Sequence, residues 1–131
     1  MNILINFILA SIIMGILDFV WLRFAAKKIY YNEIGALLLK KPFMPAALLF
    51  YVIYVIGIVV FVITPALNND SWFYATYMGA LFGLVAYATY DLTNLATLKG
   101  FSAKIVIIDL IWGALLTSIV ATGTVVAVGL L

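Results

Sequence analysis

The sequence predicts an all-α integral membrane protein, a bundle of four spanning helices with both termini outside, and three observations carry that prediction. First, 68% of the 131 residues are hydrophobic and 9% are charged, whereas an ordinary soluble domain carries about 25% charged residues; mean hydropathy reaches +1.28. No soluble core could hide that much apolar surface. Second, the apolar residues fall into four runs of the length that crosses ~30 Å of hydrocarbon at ~1.5 Å per helical residue. Third, every Lys and Arg lies in, or beside, the first and third connections between those runs.

The first run, about Ile3 to Phe24, has no basic stretch ahead of it and is too long for the apolar core of a signal peptide, so it reads as a retained helix. In the connection that follows, Ala25 to Phe43, the residues Ile29, Tyr30, Ile34, Leu37 and Leu38 share one side of a helix, with Lys27, Lys28, Lys40 and Lys41 at its ends. Such a segment lies in the headgroup layer as an interfacial amphipathic helix, its lysines reaching toward anionic lipid. Pro42 and Pro45 fit a turn into the second run, about Met44 to Thr64, because Pro is accommodated in a first helical turn.

A short connection, Pro65 to Ser71, leads to the third run, about Trp72 to Ala96; Lys99 and Gly100 then mark the turn into the fourth, about Ala103 to Leu130. Gly79 and Gly83 form a G-x-x-x-G pair, and Gly113, Ala121 and Gly123 line the fourth run. Small residues let helices approach closely where lipid supplies no hydrophobic drive, either within one chain or between two copies. Four spans leave little chain over, so residues 1–131 form one domain.

Arg23, Lys27, Lys28, Lys40, Lys41, Lys99 and Lys104 all belong to one face, and the other carries no Lys or Arg. Under the positive-inside rule, in a bacterial inner membrane, the first and third connections are cytoplasmic. The formal charge of +2 is too small to suggest nucleic-acid binding. With no Cys and no His, thiolate chemistry, imidazole ligands to zinc or iron and the usual general base are all excluded, and no cofactor is expected. Carboxylates alone suit only hard cations.

Three acids, Asp18, Asp91 and Asp109, fall inside predicted spans, where a charged Asp costs roughly 2.5 to 3.5 kcal/mol near the centre. Each lies about six residues, or ~9 Å, from the cytoplasmic end of its own helix, so all three converge on one layer. Each also sits on a stripe of small or polar residues at helical spacing: Ser11 and Gly15 with Asp18; Ala80, Gly83, Tyr87 and Asn94 with Asp91; Gly113, Thr117 and Thr124 with Asp109. In the second run Tyr51 and Tyr54 lie near the same depth and could donate hydrogen bonds to a carboxylate. The expected object is a polar pocket on the cytoplasmic side, lined by Asp18, Asp91 and Asp109 together with Asn94, Tyr87, Tyr90, Thr93, Tyr54, Trp21 and Trp112. The bland alternatives are that Arg23 and Lys104 snorkel to pair with these acids, and that the tryptophans merely pack at the interface.

The run Tyr-Asp-Leu-Thr-Asn-Leu-Ala-Thr-Leu-Lys from Tyr90 to Lys99, with Leu17, Asp18, Trp21 and Leu22 in the first helix and the stretch Ala46 to Tyr54, resembles a family of short bacterial four-span membrane proteins of unknown function, domain of unknown function 2177. The resemblance covers essentially the whole chain and implies the architecture but no activity. Other signatures fail. Tyr90 and Asp91 match one half of an intramembrane aspartyl protease, but Asp109 sits in Ile-Ile-Asp-Leu and lacks the Gly-x-Gly-Asp of the other, and no phosphate loop occurs.

Three function classes follow. The favoured one is a small transporter or carrier whose acidic pocket takes a cation, a proton or a cationic amphiphile, working as a homodimer because a single small bundle has little room for alternating access. The second is a non-catalytic subunit or assembly factor of a larger membrane complex. The third, less favoured, is an enzyme that uses paired aspartates on a lipid-like substrate. Membrane lipids are expected partners of all three.

Overall fold

The computed structural model describes residues 2–131 of the chain, and these are almost wholly helical. Helix α1 (Ile3–Trp21) starts at Asn2, whose side chain accepts from the amides of Leu4 and Ile5 at 3.0 and 3.3 Å. A cap of this kind satisfies amides that have no partner in the first turn. A π-helical turn, Leu22–Ala26, then carries the chain into α2 (Lys27–Ile34), which ends in a short 3₁₀ turn, Gly35–Leu37. The expected amphipathic helix is therefore shorter than the sequence suggests: it stops at Ile34, Leu38 is extended, Leu37 and Leu38 are exposed, and Lys40 and Lys41 lie beyond it. Ile29, Tyr30 and Ile34 are half-buried, while Lys27, Lys28 and Tyr31 are exposed.

Helix α3 (Met44–Ile58) begins with Pro45 in its first turn and runs through a second π-helical turn, Val59–Ile63, into α4 (Thr64–Asn68). Pro65 accounts for that widened turn: it has no amide for the carbonyl four residues back, Phe61, and its ring crowds that oxygen. A tight turn with Asp70 at φ 49° leads to Ser71, which caps α5 (Trp72–Thr97) by accepting from the Tyr74 amide at 3.0 Å. Gly100, at φ 77°, takes the left-handed conformation that the next turn requires, and Ser102 caps α6 (Ala103–Gly129).

Three helical stretches are both long and apolar enough to cross a membrane: Ile3–Ala25, Met44–Asn68 and Ala103–Gly129. Helix α5, at 26 residues, is long enough as well. Its tyrosines, its glycines and the polar run around Asp91 and Asn94 dilute its hydropathy, and it does not join the three on composition.

The two longest helices, α5 and α6, form an antiparallel hairpin whose contact is made by the small residues. A β-carbon added at Gly79 would lie 2.9 Å from the Thr117 carbonyl oxygen, and one added at Gly83 would lie 2.0 Å from that of Gly113. The G-x-x-x-G pair thus packs within the chain. Helix α6 is the centre of the molecule, touching α1, α2, α5 and the π-helical turn at Val59–Ile63. The core combines Met14, Val55, Ile58, Val62, Leu116 and Val120, all nearly inaccessible. Around it, Ile12, Ile16, Ile53, Leu115 and Ile119 face outward, an apolar exterior suited to lipid.

Polar side chains reinforce the same contacts. Ser118 donates to the Thr76 carbonyl at 2.8 Å, and the Thr76 and Thr122 hydroxyls are hydrogen-bonded at 2.7 Å. Where lipid offers no competing water, such bonds hold helices together.

Candidate functional site

A cavity of about 550 Å³ is lined by residues from α1, α2, α3, α5 and α6, and the three aspartates share it. Asp18 comes from the end of α1, Asp91 from the last third of α5, and Asp109 from the second turn of α6. The small-residue stripes explain the convergence. Gly83 and Gly113 draw α5 against α6, so that Asp91, about two turns beyond Gly83, and Asp109, about one turn from Gly113, both toward the connecting loop, face the same space.

The three carboxyls are not equivalent. Asp109 accepts a hydrogen bond from the Tyr30 hydroxyl. The Trp112 indole lies beside the Asp18 carboxyl. Asp91 is fully buried, and neither of its carboxyl oxygens has a hydrogen-bond partner. Neither Arg23 nor Lys104, both exposed, reaches it. Asp109 is close enough to Asp91 for the two carboxyls to interact. Among the described residues, no three acids gather tightly enough to hold a metal ion.

The other walls are mainly aromatic. Trp21 and Trp112 stack with their rings 4.4 Å apart and 9° from parallel, and Tyr87, Tyr90 and Phe50 line the cavity with the aliphatic Leu22 and Ala86. The Trp21 indole N–H is buried and has no partner. An unsatisfied donor and an unsatisfied carboxyl in one cavity are unusual, because a buried polar group without a partner costs about 1–3 kcal/mol.

Seven of the ten residues singled out in the sequence line this cavity: Asp18, Asp91, Asp109, Tyr87, Tyr90, Trp21 and Trp112. Thr93 is exposed, Asn94 is half-buried, and neither is on the lining. Tyr54 lies in the core, its hydroxyl hydrogen-bonded to that of Thr117 at 2.7 Å and its ring stacked on Phe82. Tyr51 donates to the backbone carbonyl of Ser11 at 2.8 Å, not to a carboxylate.

Four further residues, Leu22, Tyr30, Phe50 and Ala86, also line the cavity. Phe50 gives no sequence signal beyond its place in an apolar helix. The spacing puts Tyr30 on the apolar side of the interfacial helix, but its hydroxyl reaches Asp109. The extra residue in the π-helical turn ahead of it rotates everything that follows by about 100°. Burial pushes the Tyr30 phenol well above its ordinary value, and the bond to Asp109 adds to the effect, so the hydroxyl stays a donor.

Residues 3–126 match a family model described as predicted membrane protein (DUF2177). Comparison with curated proteins and with solved structures gives no match.

Proposed function

The chain belongs to this family of predicted membrane proteins, DUF2177, and we propose that it is a four-span inner-membrane protein that binds an organic cation in its carboxylate-lined cavity and, as an oligomer, carries it. The observation that carries the reading is Asp91: a fully buried carboxyl with both oxygens unpartnered, facing a cavity large enough for a small amphiphile. An ammonium or phosphonium centre is the partner such a group lacks. The stacked tryptophans and the tyrosines favour a cation with an apolar body over a bare metal ion, since cation–π contact contributes about 0.5–2 kcal/mol per site. Asp18 and Asp109 add to the negative potential at the same place.

Helix α5, packed through Gly79 and Gly83 on the central α6, completes four spans, its dilute hydropathy offset by the polar contacts it makes inside. The segregation of Lys and Arg supports a cytoplasmic position for the loops at the cavity end and an outside position for both termini. A single small bundle leaves little room for alternating access, which is why carriage calls for more than one copy.

Equilibrium binding of tetraphenylphosphonium to the purified protein in neutral detergent tests the reading. Asp91→Asn keeps the shape of the side chain and removes its charge. Loss of one member of a buried charge pair costs about 2 kcal/mol or more, so affinity should fall roughly thirtyfold, with helical content and insertion unchanged. Equal affinity in the wild type and in Asp91→Asn would reject the assignment.

A further inference from the structure

Beside the acidic cavity lies a second, of about 1110 Å³, which shares Leu22, Tyr30, Tyr90 and Asp109 with the first and is of opposite character. Arg23, Lys27, Lys28 and Lys40 stand on its wall, four of the chain's seven basic residues. Its single acid, Asp109, already accepts the Tyr30 hydroxyl. Glu33, on the same helix as the lysine pair, is turned to Ser102, whose hydroxyl donates to it at 2.7 Å, and it is not on this wall. Four cations therefore face one space against a single carboxylate, and an anion there relieves their remaining mutual repulsion.

The rest of the wall is apolar, and Phe24, Leu38 and Leu39 are 76%, 46% and 71% exposed. A free inorganic anion would have no use for them, whereas acyl chains would. From this pairing of clustered cations with an exposed apolar wall, we propose that the outer cavity holds the headgroup of an anionic phospholipid. Its phosphate sits among Arg23, Lys27, Lys28 and Lys40, and its chains run over Phe24, Leu38 and Leu39. The site is distinct from the cation pocket and does not depend on it, although a headgroup seated here rests against Tyr30 and Tyr90 and so lies at the mouth of that pocket.

Native mass spectrometry of the full chain in neutral detergent, titrated with phosphatidylglycerol, phosphatidylcholine or inorganic phosphate, tests this. Phosphatidylglycerol should bind one per chain and outcompete phosphatidylcholine, and phosphate at equal concentration should not displace it. Lys27→Gln with Lys28→Gln should weaken phosphatidylglycerol binding about thirtyfold, from a little over fivefold per cation. Lys99→Gln with Lys104→Gln, which removes the same charge from the same face away from the cavity, should leave it within about twofold. Equal binding of the two lipids, equal weakening by the two double variants, or displacement by phosphate would each overturn the proposal. Tetraphenylphosphonium binding by Lys27→Gln/Lys28→Gln, which retains Asp91, separates failure here from failure of the cation pocket.

Discussion

Replacing Gly83 by Ala tests the contact on which the cavity depends. The added β-carbon would stand 2.0 Å from the Gly113 carbonyl oxygen, and 2.7 Å from both the Gly113 carbonyl carbon and the Thr117 hydroxyl, where ordinary contact begins near 3.4 Å. The overlap with the oxygen is thus about 1.4 Å, and the obstacle is backbone, which cannot swing aside. The helices must part by about an ångström. A gap of 0.5–1 Å already forfeits a quarter to a half of each dispersion contact along the seam, and overpacking of this kind costs about 1–3 kcal/mol or more. Against it stands the better helix propensity of Ala, worth up to about 1 kcal/mol. Because the obstacle is backbone the cost falls at the upper end of that range, and the expected net loss is about 2 kcal/mol, read as a shift in the SDS-induced unfolding midpoint of the protein in mild detergent. Gly129→Ala, with nothing within 4 Å of the added carbon, should stay within about 0.5 kcal/mol of the wild type. Wild-type stability of Gly83→Ala in a monomeric preparation would refute the close α5–α6 approach.

Tyr30→Phe removes the bond to Asp109 and should cost about 1–3 kcal/mol in the same assay, as expected for a hydrogen bond to a carboxyl. Because the Tyr30 phenol titrates higher folded than unfolded, its contribution is fully present below the unfolded value of about 10 and is lost as pH rises beyond it. Tyr30→Phe should therefore flatten the alkaline fall in stability, and an unchanged slope would contradict the buried bond. Ser118→Ala, which loses the bond to the Thr76 carbonyl, should cost only about 0.6 kcal/mol, the average for such bonds between membrane helices; a loss above about 2 kcal/mol would mean that the hydroxyl does more than join two helices. Single cysteines at Asn32 and Asn69, both exposed in this cysteine-free chain, should react with an impermeant reagent from opposite sides of the membrane. Labelling of both from one side would reverse the proposed orientation.

Much of the architecture is legible in the residues because membrane helices are written in runs and stripes. Asp18, Asp91 and Asp109 lie on small-residue stripes at helical spacing, and that spacing alone turns them toward other helices. Gly79 and Gly83 could have served a homodimer or an internal seam, and only the distances to Gly113 and Thr117 decide for the seam. What sequence could not supply is rotation about a helix axis and the position of backbone acceptors. Tyr51 finds the Ser11 carbonyl and Tyr54 finds Thr117 because those oxygens are within reach, and a carbonyl leaves no mark in a sequence. Tyr30 depends on a π-helical turn that nothing in Leu22 to Ala26 announces. Helix α5 sits at the margin for a further reason: the groups that make it useful inside, Tyr87, Asp91 and Asn94, are the ones that lower its hydropathy.

The most direct measurement of the central claim is an experimental density map of the protein in a lipid nanodisc with tetraphenylphosphonium present. Density is expected between the Trp21–Trp112 stack and the Asp91 carboxyl, displaced in Asp91→Asn. A map in which Asp91 is instead paired with Arg23 or Lys104 and the cavity is closed around that pair would contradict it.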